Sequence, residues 1–234
     1  FDDGYRDNYE LALPLLKSAG LKAVFFISTG FIGGTRLSWW DEIAWMVRNS
    51  RKRFIGPTST LPTVVSIDPD RPESAIDTLL MIYKRLPSEI TSLYLEDVAR
   101  ETGAGRAPAE LACETWMTWD MVRELRDAGM IIGGHTVNHP ILATMSRANQ
   151  AAEIHGCACD IEKYLGQKME LFSYPRGKPD SFNKDTFECL RDVGVKYAFS
   201  YYGGMNRIDS LEQYDVRRVA VDSDTQLEHF EAML

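Results

Sequence analysis

Two imidazoles stand four positions apart in Gly134-His135-Thr136-Val137-Asn138-His139-Pro140, and they are the chain's most suggestive chemistry. That spacing turns both rings to one point if the segment makes a helical turn, and neutral imidazole is a common ligand for divalent transition metals. Pro140 stops a regular helix from running through, so the segment reads as a tight loop, and the Glu of a His-Glu-x-x-His helix is missing. The chain has four histidines, and with two of them here a metal site is favoured over two hydrogen-bonded turn histidines. A third ligand must come from elsewhere, and Asp2-Asp3 is the best supplier. Adjacent side chains on extended backbone point in opposite directions, so one carboxylate can ligate while the other acts on water. Gly4 permits the sharp exit such a turn needs, although Asp-Asp-Gly taken alone is just as often a plain surface turn.

These groups need strands that end beside one another. Phe1 to Tyr5 reads as the tail of a strand entering a turn, which together with a first residue that is not Met implies missing residues upstream and leaves localisation open between a bacterial cell envelope and the cytoplasm. Asn8 to Ala19 is patterned as a helix with Leu11, Leu15 and Leu16 on one face, and Leu21 to Ser28 as a buried parallel strand. The alternation resumes at Thr118, an N-cap for a helix ending at Gly129, followed by a strand over Met130 to Gly133. Ser146 caps a long helix that stops at Gly166, and Glu170 to Tyr174 is the next strand. A helix over Lys184 to Val193, strands over Val195 to Ser200 and Val216 to Val221, and a helix over Thr225 to Leu234 complete the series. Strand and helix units of this kind imply an α/β fold, either a closed barrel or an open doubly wound sheet, and the motifs favour the barrel because each follows directly after a strand. Residues 33–114 break the rhythm; opened by a helix at Trp39-Trp40 and helical again over Pro72 to Thr102, they read as a largely helical insertion within a single domain spanning residues 1–234.

Composition narrows the partners. The 234 residues, 44% hydrophobic, supply a sizeable core, and the net charge of −8 argues against nucleic acid while leaving a neutral glycan acceptable. No apolar run approaches the roughly 20 residues that cross a bilayer, so no membrane segment is visible. Cys113, Cys157, Cys159 and Cys189 are too scattered for a disulfide scaffold or a zinc knuckle and read as reduced. Oligomeric state is not legible.

Taken in order, Phe1-Asp2-Asp3-Gly4 and His135-Thr136-x-x-His139 resemble the two leading motifs of the polysaccharide deacetylase family, the NodB homology domain of carbohydrate esterase family 4. The resemblance covers most of the chain outside the insertion and implies a distorted (β/α) barrel. By it, Asp2 is the general base, Asp3, His135 and His139 are the metal ligands, and Thr136 steadies the loop. It further implies a divalent cofactor, zinc first, with cobalt, nickel, manganese and iron also suited to the donor set. Phe172-Ser173-Tyr174-Pro175-Arg176-Gly177 is similar to the family's groove segment, with Arg176 in place of the usual Tyr. There Tyr174, Pro175 and Gly177 would meet substrate and the Arg176 backbone N–H would bind an oxyanion, a role any non-proline residue can fill. Its guanidinium could touch substrate or lie solvated.

The sequence also departs from the family. Ser173 occupies the place where many relatives carry an Arg that orients the base, although a branch with Phe-x-Tyr-Pro lacks that Arg too. In Tyr214-Asp215-Val216-Arg217-Arg218-Val219, which is similar to a late strand of that branch, Arg218 becomes a partner for Asp2 and Arg217 a surface charge. The Leu-x-Leu-His motif that provides a general acid is missing; Leu227-Glu228-His229 is a superficial echo in a terminal amphipathic helix, and His155 lies mid-helix without a motif. Proton delivery to the leaving group is left to water, protonated Asp2 or a residue of the insertion. The function implied is hydrolytic removal of acetyl groups, N-acetyl before O-acetyl, from a polysaccharide or amino sugar. The alternatives are a deformylase-like amide hydrolase on a small or lipid-linked sugar, and a silent carbohydrate-binding relative.

Overall fold

Val24 to Ile27 carries four consecutive apolar side chains, three of them fully buried, and such a run is stable only as a strand covered on both faces. In the computed structural model, which describes residues 1–221 and 225–233 apart from the side chains of His229 and Met233, this run is the first strand. Along the chain come a π-helical turn Asn8–Ala12, α1 Leu13–Ser18, β1 Val24–Ile27, α2 Trp39–Arg48, β2 Phe54–Ile55, β3 Val65–Ser66, α3 Glu73–Tyr83, α4 Thr91–Thr102, α5 Ala109–Thr115, α6 Trp119–Asp127 and β4 Ile131–Gly134. Then follow α7 Arg147–Leu165, β5 Leu171–Ser173, α8 Lys184–Asp192, β6 Tyr197–Ser200, β7 Val216–Arg217 and α9 Leu227–Met233.

The chain divides into two compact units, one made of Phe1–Asp3, Lys22–Thr29 and Arg126–Leu234, the other of Gly4–Leu21 and Gly30–Leu125. In the first, five strands pair in the order β1-β4-β5-β6-β7, and every ladder is parallel. Phe1–Asp3 lies along the free edge of β1: the Phe26 N–H donates to the Phe1 carbonyl and the Ser28 N–H to the Asp3 carbonyl. Among the described residues no pairing closes β7 back onto this edge. α7 packs on β4 and α8, burying Ile154, Cys157, Ile161 and Leu165. Its limits follow from caps read in the sequence, the Ser146 hydroxyl accepting from the Asn149 N–H and Gly166 closing the helix in the left-handed conformation. Gly134, next to His135, has no room for a side chain, since a Cβ there would sit 2.1 Å from Met169 Sδ.

The second unit packs α2, α3 and α4 with the β2–β3 hairpin around Ile43, Met46, Leu79, Tyr94 and Val98. Trp39 belongs to this core, stacked on Tyr83. Two expectations are corrected. Leu11 and Leu15 are exposed, and Leu13 and Asn8 are buried instead, because the π-turn over Asn8–Ala12 widens the coil and rotates the α-helical face out of register. The strand expected over Val216 to Val221 pairs only at Val216–Arg217; residues 222–224 lie outside the described residues.

Asp97 of α4 is buried and accepts from the hydroxyls of Thr60 and Thr58 and from Arg100. The Thr60 bond first, then those of Thr58 and Arg100, outweigh burial and bring its pKa down to about 2. A depressed carboxyl stabilises the fold above its unfolded value and loses that stabilisation as pH falls through the folded one. Asp97→Asn should therefore cost on the order of 1–2 kcal/mol at pH 7, a cost that shrinks below about pH 4 and vanishes only below about pH 2. Urea unfolding followed by tryptophan fluorescence reads this unit alone, because all five tryptophans lie in Gly30–Leu125.

Candidate metal and catalytic site

Parallel strands deliver their carboxyl ends to one rim, and the chemistry-bearing residues of the first unit collect there. Phe1–Asp3 brings both aspartates, the exit of β4 brings His135, the following loop His139, β5 Ser173 and Tyr174, and the exit of β7 Arg218. Asp3, Thr136, His139 and Arg176 all adopt left-handed backbone, with φ of 76°, 67°, 55° and 65°. Four non-glycine residues in this conformation within one cleft represent strain that the surrounding bonds must hold.

Asp3 Oδ1 lies 3.3 Å from Nε2 of both His135 and His139, and the three ligand atoms fall within 4.8 Å of one another. His135 Nδ1 sits 2.6 Å from the Ser173 carbonyl, which can only accept, so the proton is on Nδ1 and the neutral ring aims its Nε2 lone pair at Asp3. The Asp3 oxygen there is buried and makes no hydrogen bond. Donors about 2.1 Å from a tetrahedral divalent ion stand roughly 3.4 Å apart, so these residues fit such an ion. The protonation state of His139 agrees with a neutral ligand. Burial pushes His139 down to about 4, whereas at His135 burial opposes protonation but the Asp3 and Asp2 carboxylates prevail and hold it up. Burial likewise works against ionised Asp3, yet both imidazoles keep its carboxyl below the usual carboxylate range.

Asp2, whose Oδ2 stands 4.0 Å from His135 Nε2, has a different main partner. Arg218 grips it with Nη1 to Oδ1 and Nη2 to Oδ2, both 2.8 Å, and the Ser173 hydroxyl donates to Oδ2 at 3.1 Å while accepting from Arg218 Nη2 at 2.7 Å. Burial opposes the charge on Asp2, but the Arg218 bonds outweigh it and hold the carboxyl well below its ordinary value. Ser173 thus takes a share in orienting the carboxylate together with Arg218. That guanidinium is further fixed by the Ser200 carbonyl and by the rings of Phe26 and Tyr201.

A cleft of about 520 Å³ opens over these groups, lined also by Phe1, Tyr174, Arg176, Tyr201, Val219 and Val221. Tyr174 is buried with its hydroxyl donating to the Tyr214 carbonyl, so it shows the cleft a ring and not a proton. Pro175 and Gly177 are buried and shape the turn: a Cβ on Gly177 would stand 2.6 Å from the Tyr201 backbone nitrogen. The Arg176 guanidinium pairs with Asp180 at 2.9 Å. Arg217 is exposed over the Tyr202 ring, and His155 is exposed beside Cys159. His229 lies outside the described side chains. Sequence reading did not find Glu153, a buried α7 carboxylate bound to the loop between the two histidines; its only trace was a Glu at an inward helical position.

An α/β unit with an Asp-His-His cluster and a paired second carboxylate at its strand ends defines a hydrolase-like centre. A family model for polysaccharide deacetylases matches residues 1–198, and the chain belongs to that family, whose members hydrolyse non-peptide carbon–nitrogen bonds. Among solved structures it is similar to a de-N-acetylase from Aggregatibacter actinomycetemcomitans, with a TM-score of 0.58 and 17% identity over 100% of this chain and 73% of that one. A Streptococcus pyogenes deacetylase in complex with acetate gives 0.60 and 17% over 100% and 67%. The deacetylase domain of a Bordetella bronchiseptica protein gives 0.56 and 16% over 94% and 68%. The α/β fold is common to all three. No curated protein sequence matches. Arg218 lies beyond the matched stretch 1–198, so the family match does not reach the residue that holds Asp2.

The Asp2–Arg218 pair is testable through stability alone. Arg218→Met should destabilise the protein strongly at pH 7 by stranding a largely buried carboxylate, and Asp2→Asn added to it should restore part of the loss. A double-mutant cycle by chemical denaturation should give a coupling on the order of 1–3 kcal/mol, and additivity would show the pair to be energetically idle.

Proposed function

We propose that the chain is a metal-dependent deacetylase that removes N-acetyl groups from an amino-sugar polysaccharide. The observation that carries this reading is the convergence of Asp3, His135 and His139 beside a second carboxylate that is held by Arg218 and Ser173 and stands 4.0 Å from His135 Nε2. A divalent cation held by these three residues, zinc first among the ions the donor set suits, supplies Lewis acidity, acidifying water toward a pKa of about 7 and polarising the acetyl carbonyl. The site residues of the chain do the rest. Asp2 takes the proton of the attacking water. The Arg176 N–H donates to the developing oxyanion, and because the guanidinium is occupied with Asp180 this backbone group is what Arg176 offers. Tyr174 and Tyr201 line the cleft with rings that suit the faces of a sugar. Among the described residues the cleft is lined by no histidine other than the two candidate ligands, and Asp2, which lines it, is also placed to return the proton to the leaving nitrogen. Its low basicity under Arg218 favours that hand-over.

Acetate release from N-acetylglucosamine oligomers tests the reading, using protein stripped of metal and then resupplied. Release should require metal and should fall on the order of 10²–10⁴-fold in Asp2→Asn. A folded, metal-loaded protein that releases neither acetate nor formate from N-acetyl, O-acetyl and N-formyl sugars would instead be a silent carbohydrate-binding relative.

A further inference from the structure

The loop from His135 to His139 is strained, with left-handed backbone at Thr136 and His139, and nothing in its own sequence relieves more than part of this. The Thr136 hydroxyl accepts from the His139 N–H at 2.9 Å. The two intervening N–H groups, of Val137 and Asn138, point away from the ligands and need an acceptor. They find one in Glu153 of α7, whose Oε2 accepts from the Val137 N–H at 3.0 Å and the Asn138 N–H at 2.8 Å. Oε1 accepts from Asn138 Nδ2 at 2.5 Å. Successive backbone N–H groups following a left-handed residue make an anion-binding concavity, and here a protein carboxylate fills it. Glu153 is 9% exposed, and among the described residues no cation lies within ion-pair distance, so these three donors compensate its charge.

We infer that Glu153 is a positioning residue for the metal: by bracing Val137 and Asn138 it fixes the loop at the one curvature that presents His139 Nε2 to Asp3 beside His135. The inference rests on the metal reading above. It accounts for why the residue is a glutamate. An aspartate is about 1.5 Å too short to reach both N–H groups from α7. A glutamine keeps one oxygen for both of them, and its amide can meet Asn138 once the Asn138 side chain turns over.

The test measures zinc affinity by competition with a chromophoric chelator, in the full chain, for the wild type and for His139→Ala, Glu153→Ala, Glu153→Asp and Glu153→Gln, with circular dichroism of each metal-free protein. Outer residues that orient ligands typically change metal affinity roughly 10–100-fold. Glu153→Ala and Glu153→Asp should lose affinity in that range while keeping native secondary structure, and Glu153→Gln should stay within about threefold of wild type. Should Glu153→Ala not fold, the Asp variant decides alone, because it keeps the charge and loses the reach. Wild-type affinity in a folded Glu153→Asp would overturn the positioning role and leave the metal site standing. An equal loss in Glu153→Gln and Glu153→Ala would overturn it too, by assigning the effect to charge. Failure of the wild type to bind zinc, cobalt, nickel, manganese or iron, or no effect of His139→Ala, would remove the metal reading itself and this inference with it.

Discussion

Two neighbouring carboxylates at the end of a strand cannot both be buried without compensation, and the way their charges are balanced organises the whole rim of the first unit. Asp3 is met by two imidazoles and Asp2 by a bidentate guanidinium, so each acid has its own charge partner although both stand within 4.0 Å of His135 Nε2. Each partner needs its own support. His135 is held by the Ser173 carbonyl, Arg218 by the Ser173 hydroxyl and the Ser200 carbonyl, and the β4 exit loop by Glu153. Ser173 therefore serves both halves of the site at once, its backbone fixing a ligand and its side chain fixing the second acid. Replacing its side chain would remove the hold on Asp2 and Arg218 and leave the backbone carbonyl that fixes His135.

The parallel sheet is what makes this affordable. Its strands end in register, so side chains from β4, β5 and β7 meet without any loop having to reach far. Close packing beneath the rim adds rigidity: Gly134 leaves no space between β4 and Met169, and β1 and β6 are bridged by the Phe26 and Phe199 rings 5.3 Å apart. Strained backbone at Asp3, Thr136, His139 and Arg176 is tolerated because the layer below does not yield.

The legible parts of this design were those written locally. The His135 and His139 spacing, the Asp-Asp-Gly exit, the Ser146 cap and the Gly166 stop each depend on residues a few positions apart, and each stands where the sequence placed it. Ser173 and Glu153 are different. Their partners lie on other elements, and a serine or an inward glutamate has many uses that only a contact can distinguish. Arg218 could be named as a partner for Asp2 because a late motif resembled a family branch, but its bidentate grip and its tie to Ser173 are tertiary facts. The misplaced face of Leu11 and Leu15 has another cause, since periodicity arguments assume a 3.6-residue turn and the π-turn at Asn8–Ala12 breaks that assumption.

Asp2 and Arg218 are 216 positions apart, which sets the order in which the molecule can be completed. A chain emerging from the ribosome releases its amino-terminal residues first, and the aspartates are exposed to solvent long before the arginine has been translated. Their segment gains its sheet neighbour when β1 follows, but the guanidinium can close the arrangement only after β4, β5, β6 and β7 have been made. Assembly of the first unit is therefore dominated by a contact of very large sequence separation, the kind that slows folding. Until that contact forms, Asp3 can already meet His135 and His139 while Asp2 still lacks the guanidinium that compensates its charge.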